Sequence, residues 1–350
     1  MASIDITRIG TTTDTPADAG GFAPRPLPAA LRFSAAERLV EDSGPSARSQ
    51  ARQIAASLAA PAAAPDLAWA TVGPAGRTVR EVAVAFLTPG RSAVLVASRP
   101  VSADDERIDE RAACIRATCE HLAGLPGQPV GIVQSLPATE EIWAVQSLEA
   151  AGWQVVGELA YLRRPIVLPD FLEESGAAGA ELPRGVELEP VRATDATDDE
   201  LRRVLEGLER SYEDTMDCPG LCGLRSTADI LASHAAIGDP ALAIWRVVAA
   251  GGRPEGAMLL AGLADQRCYE LVYVGVSPAL RQRGLGSALL RRALGTLANR
   301  LGPAAARRWS LRCAVDVANL PATRLYQRLG FRAFDYRVAC VMPLEARGAD

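Results

Sequence analysis

The sequence predicts a mixed α/β (α+β) chain made of two tandem units, and three observations carry that prediction. Residues 79 to 168 run strand, strand, helix, strand, helix closing on Gly-aromatic, strand, and residues 255 to 344 run the same order again. The end of the first copy, LEAAGWQVVGELAYLRRPIVL, can be laid over LYQRLGFRAFDYRVACVMPL of the second. Between the copies, Pro169 to Arg184 is rich in Gly, Ala and Glu and reads as a linker.

In chain order, residues 1 to 28 are rich in Thr, Ala, Pro and Gly without periodicity and read as a flexible tail. From Pro28 to Ala60, Leu31, Ala35 and Leu39, then Ala51, Ile54 and Leu58, recur on one helical face, and Gly44-Pro45 divides two helices. β-rich runs at Leu67 to Val72, Val79 to Leu87 and Ser92 to Ala97 predict strands, the last two joined by a hairpin turn at Pro89-Gly90. A helix over Asp104 to Leu122, a short buried strand over Val130 to Gln134 and a helix over Glu140 to Ala151 follow. Gly152-Trp153 ends that helix, and Gln154 to Leu168 alternates like a strand. The second copy opens with a strand at Val186 to Val191 and a helix at Asp198 to Tyr212. The irregular stretch EDTMDCPGLCGLR, a helix at Thr227 to Ala236, and strands at Leu242 to Ala249 and Glu255 to Leu263 come next.

At 350 residues the chain is long enough for two cores, and its 49% apolar content is ordinary for globular proteins. A net charge of −5 and a pI near 5.4 argue against nucleic acid or an anionic membrane as the main partner. Lysine is absent, so no lysine side chain of this chain is an acetylation site. The Ala, Gly, Pro and Arg content suggests a GC-rich bacterial genome. The first residues lack the apolar stretch of a signal peptide, and charges interrupt every later apolar run, so a cytoplasmic protein is expected. Seven cysteines read as reduced thiols, Cys114 and Cys119 as helix core. Cys218 and Cys222 flank a loop, and with only His121 and His234 as imidazoles no metal site is expected.

The chemistry concentrates between Glu270 and Arg292, ELVYVGVSPALRQRGLGSALLRR. Leu271, Tyr273 and the β-branched Val272, Val274 and Val276 favour a strand, and Ser277-Pro278 breaks it. Arg281-Gln282-Arg283-Gly284-Leu285-Gly286 then leads into a helix beginning near Ser287. A glycine-bearing turn at a helix start leaves N–H groups unpaired and favours an anion. About thirty residues on, AVDVANLPATRLYQRLGF (Ala314 to Phe331) supplies a strand, an Asn, and a helix bearing Leu-Tyr that closes on Gly-Phe.

Together these segments resemble the acetyl-CoA signature of the GCN5-related N-acetyltransferase (GNAT) superfamily. The resemblance implies two tandem GNAT-like domains, each a mixed, mostly antiparallel sheet flanked by helices, over residues 29–168 and 185–346. It implies an acetyl-CoA-dependent N-acetyltransferase acting on a primary amine of a small molecule or peptide. The strand residues Val274, Gly275 and Val276 would meet the pantetheine arm through their backbone. The backbone from Gln282 through Leu285 to Ser287 would cradle the pyrophosphate, Arg281 and Arg283 adding charge, and Asn319 would touch the cofactor arm. Tyr326 would be the general acid and Glu270 the base. The alternatives are a packed helix residue at Tyr326, and at Glu270 a solvated strand-end carboxylate with water as base. Glu209, Glu213, Asp214 and Asp217 would favour a cationic acceptor or simply form a solvated acidic loop, and Tyr212 and Met216 would line an apolar part of the groove.

The first copy lacks these features. Ala103-Asp104-Asp105-Glu106-Arg107 stands where the glycine turn belongs, and Leu148 stands where the second copy has Tyr326. A tandem arrangement with one degenerate half resembles mycothiol synthase, and the first half is expected to pack against the second and wall the substrate groove. Two other readings stay open, a non-catalytic acyl-CoA sensor and a longer acyl donor. Monomer and homodimer are both compatible with the sequence.

Overall fold

The computed structural model describes residues 22–40, 45–58, 67–102, 107–127, 129–167, 170 and 181–344. Most of the expected tail, the acidic segment 103–106 and most of the linker lie outside the described residues. The first half contributes β1 (Arg25–Pro26), α1 (Arg32–Leu39), α2 (Pro45–Ser57), β2 (Ala68–Val72), β3 (Val79–Thr88) and β4 (Ser92–Ala97). It continues with α3 (Ile108–Ala123), β5 (Ile132–Ser135), α4 (Ile142–Ala150) and β6 (Gln154–Pro165). The second contributes β7 (Val186–Val191), α5 (Asp198–Tyr212), α6 (Thr227–Ala235), β8 (Asp239–Ala250), β9 (Arg253–Leu263) and β10 (Cys268–Val276). After these come α7 (Leu285–Ala306), β11 (Ser310–Asp316), α8 (Leu320–Arg328) and β12 (Arg332–Pro343).

All the strands join one sheet in the order β1-β2-β3-β4-β5-β12-β6-β11-β10-β9-β8-β7. The order is a palindrome about the β12–β6 junction once the halves are aligned element by element. Each half lends its last strand to the other: β12 pairs with β5 from Cys340↔Ser135 to Pro343↔Ile132, and β6 pairs with β11 from Ser310↔Pro165 to Asp316↔Leu159. The repeat is legible in the sequence, but the exchange is not, because both copies end in the same strand pattern.

Two-residue periodicity sorts the side chains to two faces. Leu311, Cys313 and Val315 of β11 and Leu162 of β6 pack with the α7 leucines and with Tyr326, Leu329 and Phe331 in one core. On the opposite face Val204 and Leu208 of α5 pack on Trp245, Val247, Ala257 and Leu259. α5 lies close to the sheet because Gly207 has no side chain; a Cβ there would stand 2.5 Å from the Gly256 carbonyl. Thr197 and Glu200 cap this helix reciprocally.

The structure departs from expectation in three places. Residues 22–28 are not all tail: Arg25 pairs with Ala70, and Leu27 is buried. The helix read from Ser287 to Leu294 runs on as α7 to Ala306 and is broken at Gly302, whose φ of 72° and ψ of 163° precede Pro303. Asp170, in the expected linker, is clasped by both terminal nitrogens of Arg164 at 2.8 and 2.7 Å.

Candidate active site

β10 and β11 pair in parallel at Cys268↔Ser310, Tyr269↔Leu311 and Glu270↔Arg312, and there the pairing ends. β10 stays paired with β9 as far as Val276↔Gly256, while β11 stays paired with β6 as far as Asp316. Leu271–Val276 and Cys313–Asp316 therefore border a gap in the sheet. A bulge at Val272 shifts the β10 register at its mouth. Ser277 N donates to Glu255 O at 2.7 Å, so strand alternation turns the N–H groups of Val274 and Val276 toward the gap. Gly275 lies under the Tyr273 ring, and a Cβ there would push the Tyr273 hydroxyl aside.

The gap leads to the turn before α7. Gln282 and Gly284 adopt left-handed backbone, φ 63° and 74°, and Gly284 is the N-cap without a side-chain hydrogen bond. A Cβ on Gly284 would have nothing within 4 Å, so the space above the turn is clear. Gly286 has a different reason: a Cβ would press on Leu325 of α8 at 3.0 Å. Gln282, Arg283 and Gly284 are exposed, Ser287 is half-buried and Leu285 points into the core. An exposed left-handed turn at the start of a long helix, beside an open strand edge, fits a chain carrying a pyrophosphate.

Arg281 does not reach outward from this turn. Its guanidinium donates to Val276 O at 3.1 Å, Asp214 O at 2.8 Å, Ser211 O at 3.0 Å and also to Glu213 O. It fastens the C-terminal end of α5 and the loop after it to the end of β10. Asn319, expected at the cofactor arm, caps α8 by accepting from Ala322 N at 3.2 Å, and its side chain also bonds Asp217.

Tyr326 is buried on the α8 side of the gap, its ring edge-on to Phe331 at 5.3 Å and its hydroxyl bonded to the Cys313 thiol. Burial drives its pKa well above the usual phenol value, with Cys313 and Asp217 adding to the shift. Burial likewise pushes the Cys313 thiol up to about 12. Glu270 sits on the opposite face, half-buried; desolvation raises its carboxyl pKa and the Arg312 charge opposes the rise.

The acidic loop is a structural latch at one of its four carboxylates. Asp217 accepts from Asp316 N at 2.8 Å while Asp316 accepts from Cys218 N at 3.0 Å, so the loop is laced to the end of β11. Tyr212 stacks edge-on against Tyr273 at 5.5 Å, and Met216 is 51% exposed.

Sequence reasoning missed Tyr161, Arg163 and Arg312. Arg312 stands opposite Glu270 in the strand register, and Arg163 of the first half's last strand stands opposite Arg312. Burial raises the Tyr161 pKa and the Glu270 charge raises it further. Only the exchange of β6 brings this strand to the site, and the repeat alone does not reveal it.

In the first half, β4 and β5 pair in parallel over three positions, ending at Val94↔Gln134. Val94 and Gln134 thus occupy the places of Glu270 and Arg312. The gap beyond opens into a cavity of about 240 Å³ lined by residues including Val96, Leu136, Pro137, Trp143 and Leu148. The Glu–Arg pair is absent at those two positions, and the cavity's charged lining comes from elsewhere, Arg337 and an Arg99–Glu141 ion pair at 2.9 Å.

Residues 208–331 match the family model described as the acetyltransferase (GNAT) family. No curated protein matches the chain. Among solved structures, a GCN5-related N-acetyltransferase from Sphaerobacter thermophilus is similar at 15% identity and TM-score 0.52, over 92% of this chain and 95% of that one. A GCN5-related N-acetyltransferase from Kribbella flavida is similar at 17% identity and TM-score 0.42, over 75% and 86%. A tandem GNAT protein from the clavulanic acid biosynthesis pathway is similar at 12% identity and TM-score 0.43, over 79% and 82%. Residues 208–331, which hold the gap, the glycine turn and Tyr326, form a domain of the acetyltransferase (GNAT) family in a chain whose two halves share one GNAT-like architecture.

Proposed function

We propose that the protein is an acetyl-CoA-dependent N-acetyltransferase of the bacterial cytoplasm, active in a domain spanning 185–346. A tail over 1–28, a degenerate domain over 29–168 and a linker over 169–184 precede it. The observation that carries the reading is the end of β10–β11 pairing at Glu270↔Arg312, opening toward the clear turn at Gly284. The bound thioester supplies the acyl group. The N–H groups of Val274 and Val276 hold its arm, and one of them polarises the carbonyl. The backbone of Gln282 to Ser287 holds the phosphates with Arg283. Arg281 acts beneath them by bracing the turn. Glu270 accepts the proton that the amine loses on attack, and Tyr326 gives a proton to the leaving sulfur. A pKa above the usual phenol value keeps Tyr326 protonated before that step.

The burial of the Tyr326 hydroxyl against Cys313 favours a second reading, an acyl-CoA sensor without turnover. Calorimetric titration with acetyl-CoA tests what the two readings share. Saturable binding is expected for the intact protein and a loss of at least about tenfold for Gly284→Asp, which adds strain and a like charge to the turn. Equal binding by the two proteins would sink the placement of the donor on this turn.

A further inference from the structure

Glu270 begins a row that crosses the sheet on the α5 face. Register places Arg312 beside it, then Arg163, then Arg332, on the neighbouring strands β11, β6 and β12. Residues directly opposite in a ladder share a face, and like charges there are destabilising unless something compensates them. Strands lie about 4.8 Å apart, so the arginines start about 5, 10 and 15 Å from Glu270 along the row.

No arginine of the row forms an ion pair among the described residues. Arg312 donates to the neutral Gln266 side chain at 2.8 Å, and its buried Nε has no hydrogen-bond partner. Arg332 donates to the Phe331 carbonyl at 3.0 Å. Arg163 is exposed, and the guanidiniums of Arg163 and Arg312 lie 5.6 and 5.9 Å from the Phe334 ring. The nearby Asp335 offers them no relief, since Arg337 holds it at 2.8 and 2.7 Å. One arginine is enough to balance Glu270; the others remain in excess, on a protein whose net charge is −5.

We propose that the acceptor amine carries an anionic group, a carboxylate or a phosphate, a few bonds from its nitrogen, held by Arg312 and Arg163 while the amine faces Glu270. This rests on the acyl-transfer reading above and reverses the cationic acceptor that the acidic loop suggested. Planar guanidiniums that bond carboxylate or phosphate in pairs suit this role, and the Phe334 ring lies within reach of both. Tyr161, edge-on to Phe334 at 6.3 Å, borders the same site from the first half, so that half contributes to acceptor choice.

Matched amines test the proposal: glycine against glycinamide, β-alanine against its amide, and phosphoethanolamine against ethanolamine. Thiol release is followed with acetyl-CoA, and calorimetry compares N-acetylglycine with N-acetylglycinamide as a probe independent of turnover. The anionic member of a pair is expected to win by about tenfold or more in kcat/KM or in affinity, with the carboxylate and phosphate arms identifying the group. That ratio is expected to fall toward one in Arg163→Gln and to recover in part in Arg163→Lys. A ratio at or below one for the intact protein in both turnover and product binding overturns the proposal. So does a ratio that survives in both Arg163→Gln and Arg312→Gln. Absence of turnover with every amine counts against the enzyme reading, and product binding then decides the acceptor proposal by itself.

Discussion

Tyr326 and Glu270 stand on opposite sides of the same gap, one on the helix α8 side and the other on the α5 side, and burial raises the pKa of each, favouring the protonated form. For Tyr326 that is the form a proton donor needs. Tyr326→Phe removes the proton and little volume, so kcat is expected to fall by about 10²-fold or more while acetyl-CoA affinity stays the same. Undiminished turnover would end its role as acid. For Glu270 the sign is opposite: a base must be ionised, so activity rises with pH through a pKa above the ordinary carboxylate value and is lost below it. Glu270→Gln is expected to lower kcat/KM and abolish that acidic limb; a limb that persists would assign the base elsewhere. The turn at Gly284 and Gly286 and the helix bearing Tyr326 were legible as elements, because each follows a local pattern. The contacts of Arg281 were not legible, because the carbonyls it donates to come from residues 211–214, far away in the chain.

At the scale of elements, hydrophobic periodicity located β3, β4, α5 and β7 within a residue of their observed ends, since each buries one regular face. β1 was missed because a two-residue strand has no period to detect. The loop between α5 and α6 was legible only as irregular, and its order comes from long-range ties. Arg281 is the largest of them, bridging β10 to the end of α5 and the residues after it. Arg281→Ala leaves several carbonyls without this donor and should cost about 1–3 kcal/mol by chemical denaturation. The loop borders the gap, so the acceptor KM should rise as well. Arg283→Ala, at an exposed position on the same turn, should leave the denaturation midpoint unchanged and weaken only acetyl-CoA binding. Equal stability of the Arg281 and Arg283 variants would refute the brace.

For the whole molecule, the exchange of β6 and β12 makes the two halves one folding unit. β12 is registered on β6 from Arg332↔Arg163 to Val341↔Gln154 and also on β5, so it closes the first half's sheet and joins it to the second. Cys340 of β12 lies in the first half's core, whereas Ala160, Leu162 and Ile166, from β6 and just past its end, lie in the second half's core. A half expressed alone would expose the edge of β5 or β11, lack those core side chains, and carry an unpaired terminal strand. The first half also provides the strand that carries Tyr161 and Arg163 to the other gap. Residues 22–168 and 181–344, expressed separately, should each lack a cooperative thermal transition and aggregate. Coexpressed, they should copurify and melt as one unit near the midpoint of the intact chain. A cooperative melt by either fragment alone would show that each half completes its own sheet and that the exchanged pairing does not hold in solution.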